Sequence, residues 1–259
     1  MKFPEFIEEL LDGYTTSGEN YRTSSESEIY LYEKQDSADL FLKIGSGNVD
    51  APLVNEKNAM DWLNGKLPVP RVVGYDKVGE TEFLVTQRIE GVSSHSDEGR
   101  ADKALTVGIL AEGLRAIHRV EIEKCPFPDC SADALISNVE HNIAKGIVTA
   151  EVLAEYNDSR TLDEALAEAR STKPEFEDLV LTHGDYCLPN IMIDNGALSG
   201  FIDWGSVGIG GRHRDFAAVE YSVRRNFGAE WVEPFFDAYG QKYFDEDIMA
   251  FYRAIYDLI

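Results

Sequence analysis

The stretch from Leu179 to Gly205 restricts this chain more than any other part of it. It reads as a strand, a loop carrying His183, Gly184, Asp185 and Asn190, a second strand, a tight turn and a third strand ending at Asp203. Asn195-Gly196 supplies the pair of positive φ angles that closes a two-residue hairpin. That hairpin folds Asp203 back toward Asn190, so Asp185, Asn190 and Asp203 are expected to converge. Phosphoryl transfer requires such a set, because its catalysis is mostly positioning and charge neutralisation. In that reading Asp185 is the catalytic carboxylate that orients the attacking hydroxyl. Asn190 and Asp203 are ligands for Mg2+, a hard cation that takes oxygen donors and retains several waters. His183 braces the loop. The alternative, turn residues plus a strand-end Asp, leaves the full spacing and the hairpin without a reason.

The rest of the chain reads as α+β, with a small β-rich N-terminal lobe and a larger, mostly helical C-terminal lobe. Strands are expected over 28–32, 40–44, 72–75 and 82–86, with turn chemistry at 35–37 and one helix from an N-cap at Asn55 through Leu63. Two prolines hold 66–70 extended. Lys43, in an apolar strand, is placed to meet nucleotide phosphates, and Glu56 on the following helix is its expected partner. A loop over the phosphates is expected at 24–27, with Ser25 as the candidate contact. The junction strand, with Gln87 and Ile89, is expected to present backbone groups to the base. The boundary falls near residues 87–92, giving a nucleotide-binding lobe over 1–90 and a catalytic and substrate-binding lobe over 91–259. In the latter, helices are expected over 101–119, 133–153 and 162–169, and again in the tail, where Phe251, Ile255 and Leu258 share one face.

Net charge is −23. A protein that neutralises nucleic-acid phosphates needs a basic face, so nucleic acid is not an expected partner, and an anionic membrane surface is not either. The field favours a cationic ligand. Residues 133–178 hold eleven acidic side chains against four basic ones, most of them solvated helix faces. No apolar run is long enough for a membrane span, and the acidic start of the chain is unlike a secretory signal, so the expected location is the cytoplasm. Three cysteines, an odd and low number, argue against a disulfide framework.

His183-Gly184-Asp185 with Asn190, followed by Asp203-Trp204-Gly205, resembles the protein-kinase signature. With Ser199 to Asp203, the 66–70 segment, Asp215-Phe216-Ala217 and the stretch from Trp231 to Phe236, it resembles the aminoglycoside 3'-phosphotransferases, the kanamycin and neomycin kinases. The resemblance implies a two-lobed protein-kinase-like fold and transfer from ATP or GTP, with Mg2+, to a hydroxyl of an aminoglycoside, conferring resistance. It implies that Asp215 anchors the catalytic loop. It also implies substrate contacts from Glu151, Glu155, Asp257 and the terminal carboxylate of Ile259. The chain departs from the family at Ser206 and Tyr221, where arginines are common, and at Tyr256, where an acid is. Either Arg212, Arg214 or Arg224 substitutes for those arginines, or the substrate range differs. A kinase of another small alcohol or antibiotic, and a nucleotide-binding pseudokinase, remain alternatives on the same motif.

Overall fold

The computed structural model describes residues 3–21, 27–46, 52–155 and 160–258. Two compact units emerge, one of residues 1–93 with 190–206 and one of residues 94–189 with 207–259. In chain order the first elements are α1 (Glu5–Leu10), β1 (Glu28–Tyr32), β2 (Leu40–Ser46), α2 (Leu53–Leu63), β3 (Val72–Val78), β4 (Thr81–Gln87) and β5 (Val92–Ser93). Then come α3 (Lys103–His118), α4 (Ala132–Lys145), α5 (Ala150–Glu155) and α6 (Leu162–Thr172). The strands β6 (Leu179–Thr182), β7 (Ile191–Asp194), β8 (Ala197–Phe201) and β9 (Gly208–Gly211) follow, and α7 (His213–Phe227), α8 (Val232–Tyr239) and α9 (Glu246–Ile255) end the chain.

The first unit is built on an antiparallel sheet in the order β1-β2-β4-β3. Strand side chains alternate between faces. In β2, Leu40, Leu42 and Ile44 are buried and join Ile7, Leu11, Phe83 and Val85 in one apolar cluster. Lys43 therefore projects from the opposite face. Helix α1 is an element the sequence reading did not anticipate. It lies against β3 because Gly74 gives it room: a Cβ there would sit 2.3 Å from Leu10 Cδ1. Helix α2 begins two residues before the expected cap at Asn55, directly after Pro52, and its first N–H donates to Glu82 Oε2 at 2.6 Å.

A second sheet of this unit, β5-β7-β8, carries the expected hairpin, with φ of 49° at Asn195 and 75° at Gly196. Strand β8 stops at Phe201, not at Asp203, and the Phe201 N–H donates to Pro68 O at 2.9 Å. The chain passes so close at Gly200 that a Cβ would stand 2.6 Å from Ile89 Cδ1 and 2.7 Å from Pro68 O.

The second unit is mainly helical. Asp102 caps α3 through the Leu105 N–H, and a Thr161–Glu164 capping box opens α6. The helix expected over 133–153 is two helices, because Gly146 takes the left-handed conformation (φ 70°) that terminates α4. Strand β9, which the glycine-rich sequence at 208–211 did not signal, pairs antiparallel with β6. Phe216 packs edge-on against Phe236 and Tyr239 in the core. Phe251, Ile255 and Leu258 are buried, so the apolar face of the tail is a packing face. Among the described residues no helix is long and apolar enough to cross a membrane.

Two stability predictions follow from this packing. Gly200→Ala pushes a methyl against a backbone carbonyl and should destabilise by about 1–3 kcal/mol. Gly108→Ala, in an exposed position of α3 with open space around it, should stabilise by up to about 1 kcal/mol. Urea unfolding of the pair reads both signs. His213 supplies a third prediction. It is buried, accepts the Asp245 N–H at Nε2 (3.1 Å), and burial holds its pKa at about 4, below the ordinary 6.5. Between these values the unfolded chain binds a proton that the folded one refuses, so stability falls as pH drops from 6.5 to about 4. His213 should contribute a slope of up to about 1.4 kcal/mol per pH unit. His213→Gln should flatten the profile by that amount, and an unchanged slope would contradict the assignment.

Candidate active site

In the first unit, Lys43 Nζ lies 2.8 Å from Glu56 Oε2 and 3.2 Å from Asp203 Oδ1. Burial opposes the ammonium charge, yet the Glu56 and Asp203 carboxylates outweigh it and raise Lys43 above the ordinary lysine range. Glu56 is buried, whereas the Asp203 side chain is 45% exposed. Asp203 Oδ2 makes no hydrogen bond to a described residue, so this carboxylate keeps one oxygen for another cation. Asp203 also holds a left-handed backbone, φ 63°, a conformation that costs an L-residue about 1–2 kcal/mol. The turn is secured on both sides. Ile202 N–H donates to Asn190 O at 2.9 Å, and the buried Trp204 donates from Nε1 to Phe201 O at 3.1 Å. The backbone at Asn190 is thus tied to the residue before Asp203, and an amide and a carboxylate are oxygen donors of the kind that Mg2+ takes.

The sequence reading missed Glu82. It is 1% exposed, accepts the Leu53 N–H at the start of α2, accepts the Tyr75 hydroxyl at 2.8 Å and pairs with Lys77 at 3.2 Å. Glu56 stands three residues into the helix that Glu82 caps, so Glu82 fixes where the Lys43 partner sits. A lone acid at the start of a strand gave no signal of this role.

In the second unit, the loop after β6 hangs from a buried carboxylate in the first turn of α7. Asp215 Oδ2 accepts the His183 N–H at 2.9 Å, and Oδ1 accepts the Gly184 N–H at 2.8 Å. His118 Nε2 donates to Oδ2 at 3.1 Å. Burial pushes Asp215 upward, but the His118 and Gly184 hydrogen bonds and nearby His183 hold it below the usual carboxylate value. Burial also depresses His118, which stays neutral and accepts the Tyr239 hydroxyl at Nδ1, 2.8 Å away. His183 is fully buried and its Nδ1 accepts the Asp185 N–H at 3.3 Å, so it braces the loop. Tyr186 donates to Leu110 O at 2.8 Å and Leu188 N–H to Ser222 Oγ at 2.9 Å, fixing the loop beyond Asp185.

The remaining expected residues fall as follows. Ser25 and Ile259 lie outside the described residues. The Gln87 N–H donates to Arg71 O and the Arg88 N–H to Asp39 O, each at 2.9 Å, while Ile89 packs over Gly200. Glu151 is exposed on α5, where a hydrogen bond from Thr149 lowers its pKa. Glu155 ends the same helix, and α5 packs beside the 3-10 turn at Tyr256–Leu258 that contains Asp257. Arg212 pairs with Asp178, Arg224 with Glu220, and buried Arg214 donates to Thr182 Oγ1. The two aromatic departures meet: Tyr221 and Tyr256 have ring centroids 5.7 Å apart.

The sequence profile of the phosphotransferase enzyme family matches residues 21–252. An aminoglycoside 3'-phosphotransferase of Niallia circulans is 32% identical over 252 residues, with 96% of this chain and 95% of that protein covered. Another from Streptomyces fradiae is 35% identical over 210 residues, covering 78% of each. The solved aminoglycoside 3'-phosphotransferase of type VIII superposes with a TM-score of 0.79 at 29% identity, covering 95% of this chain and 94% of that one. The loop held by Asp215 and the ion triad of Lys43 therefore sit on a protein-kinase-like fold, and the chain belongs to the phosphotransferase enzyme family.

Proposed function

We propose that this chain transfers the γ-phosphoryl group of ATP or GTP to a hydroxyl of an aminoglycoside, at the 3' position, and so confers resistance. The observation that carries the reading is the Lys43–Glu56–Asp203 triad. A partly buried ammonium is held by one buried carboxylate and one half-exposed carboxylate whose second oxygen makes no hydrogen bond to a described residue. That arrangement suits the anionic phosphates of a nucleotide, with Lys43 neutralising charge directly. Asn190 and Asp203 would hold Mg2+, which when bound neutralises further phosphate charge. Asp185, presented by the loop under Asp215, would accept the proton of the attacking hydroxyl and orient it. Ser25 and the Ile89 backbone would contact the nucleotide. At Gln87 the contact would come from a group other than the N–H that Arg71 already engages.

The names of the relatives and the chain's net charge of −23 support a polycationic acceptor. Glu151, Glu155, Asp257 and the Ile259 carboxylate would meet its ammonium groups through charge-assisted hydrogen bonds. The reaction would take place in the cytoplasm, where nucleoside triphosphates are abundant. A second reading, a kinase of another small alcohol, draws on the Tyr221–Tyr256 pair, which puts two aromatic rings where the family places charged groups.

Nucleoside diphosphate release, measured with a panel of aminoglycosides and of neutral alcohols, tests the acceptor. Turnover of aminoglycosides alone is expected, and turnover of neutral alcohols alone would favour the second reading. With the active acceptor, Asp185→Ala should lower kcat by about 10²–10⁴ with nucleotide affinity nearly unchanged. Lys43→Ala should instead raise the nucleotide KM. Retention of more than roughly a tenth of wild-type turnover by Asp185→Ala would remove it from the role.

A further inference from the structure

The second unit contains a cavity of about 400 Å³ that the proposed reaction does not use. In a chain of net charge −23, its wall gathers four cationic side chains, Arg115, Arg119, Arg212 and Lys242, around Tyr239 and Tyr243. Two carboxylates offset part of this charge, as Arg115 pairs with Glu112 and Arg212 with Asp178. Arg119 and Lys242 are exposed and form no ion pair with a described residue. Arg115 also donates from Nη1 to Ala238 O at 2.7 Å, yet its Nε is buried with no hydrogen-bond partner among the described residues. A buried donor without an acceptor is costly, and native proteins usually satisfy one with an ordered water or an ion. Guanidinium forks match phosphate geometry. The cavity is larger than a phosphate and of the size of small-ligand sites.

From these features we infer that the cavity binds a small phosphate-bearing molecule and that its occupancy steadies the loop carrying Asp185. The route to the loop is a single hydrogen-bonded line. Arg212 Nη1 donates to Tyr239 Oη at 2.5 Å, Tyr239 donates to His118 Nδ1, and His118 Nε2 donates to Asp215 Oδ2. Asp215 in turn holds the His183 and Gly184 N–H groups. An anion seated on Arg212 would restrain the Arg212–Tyr239 end of this line, and with it the His118 ring that donates to Asp215. The binding half stands apart from the assignment of Asp185, whereas the functional meaning of the coupling rests on it.

The test uses the whole protein, with inorganic phosphate and glycerol 3-phosphate as separate probes and sodium chloride at matched ionic strength as the control. At a probe concentration of about five times Kd, the melting temperature should rise by roughly 2–4 °C. The double variant Arg119→Ala/Lys242→Ala, which alters two exposed side chains, should lose most of the rise, and Lys43→Ala should keep it. Tighter binding of glycerol 3-phosphate assigns the rest of the cavity to an organic body, and equal binding assigns the site to phosphate alone. No saturable rise, or a rise lost in Lys43→Ala and kept in the double variant, overturns the site. Hydrogen exchange at His183 and Gly184 should slow with the probe in the wild type and not in the double variant. Binding with unchanged exchange there overturns the coupling.

Discussion

Asp215 carries a charge with no access to water, and the arrangement of the second unit follows from what that charge requires. A buried carboxylate is tolerated only when its lone pairs are taken up by donors. Here the donors are the His183 and Gly184 N–H groups and His118 Nε2. The first two are the backbone of the loop that carries Asp185, so satisfying the charge and shaping the loop are one event. The third pins α3 to α7, since His118 ends α3 and Asp215 opens α7. Gly184, with φ 87°, gives the loop the turn that brings both N–H groups to the same carboxylate.

The first unit depends on a parallel solution with the signs reversed. Lys43 is a cation set on the non-core face of β2, and its charge is matched by Glu56 from α2 and Asp203 from the turn after β8. Each partner is itself held in place by polar contacts, Glu56 through the Glu82 cap on α2 and Asp203 through the Ile202–Asn190 and Trp204–Phe201 hydrogen bonds. The left-handed backbone at Asp203 is retained because these contacts over-determine it.

Much of this was legible in residue order, and the failures have physical causes. The apolar run over 40–44, set off by turn residues at 35–37, located the strand that carries Lys43, and an Asn-Gly pair fixed the hairpin, because both signals are local. The Lys43–Glu56 pair followed from the need of a buried cation for a counter-charge. Helix α1 was not legible, since it depends on the space left by Gly74 far along the chain. The start of α2 at Leu53 was not either, because a carboxylate 29 residues away supplies its cap. Gly146 was visible but an otherwise helical pattern ran across it. The anchoring role of Asp215 came from resemblance alone, and its dependence on His118 and Tyr239 became clear only in three dimensions.

The most direct measurement of the central claim is the turnover of Asp215→Asn, taken together with its nucleotide affinity. The substitution keeps the shape of the side chain and removes the charge and one of the two acceptor oxygens that the loop N–H groups share. If Asp215 sets the position of Asp185, kcat should fall by at least about tenfold, since small misplacements of a reacting group cost on the order of 10²-fold. Nucleotide affinity should stay within about twofold, because Lys43 and its partners are untouched. A variant that folds and keeps kcat near the wild-type value would show that the loop holds Asp185 without Asp215, and would contradict the account.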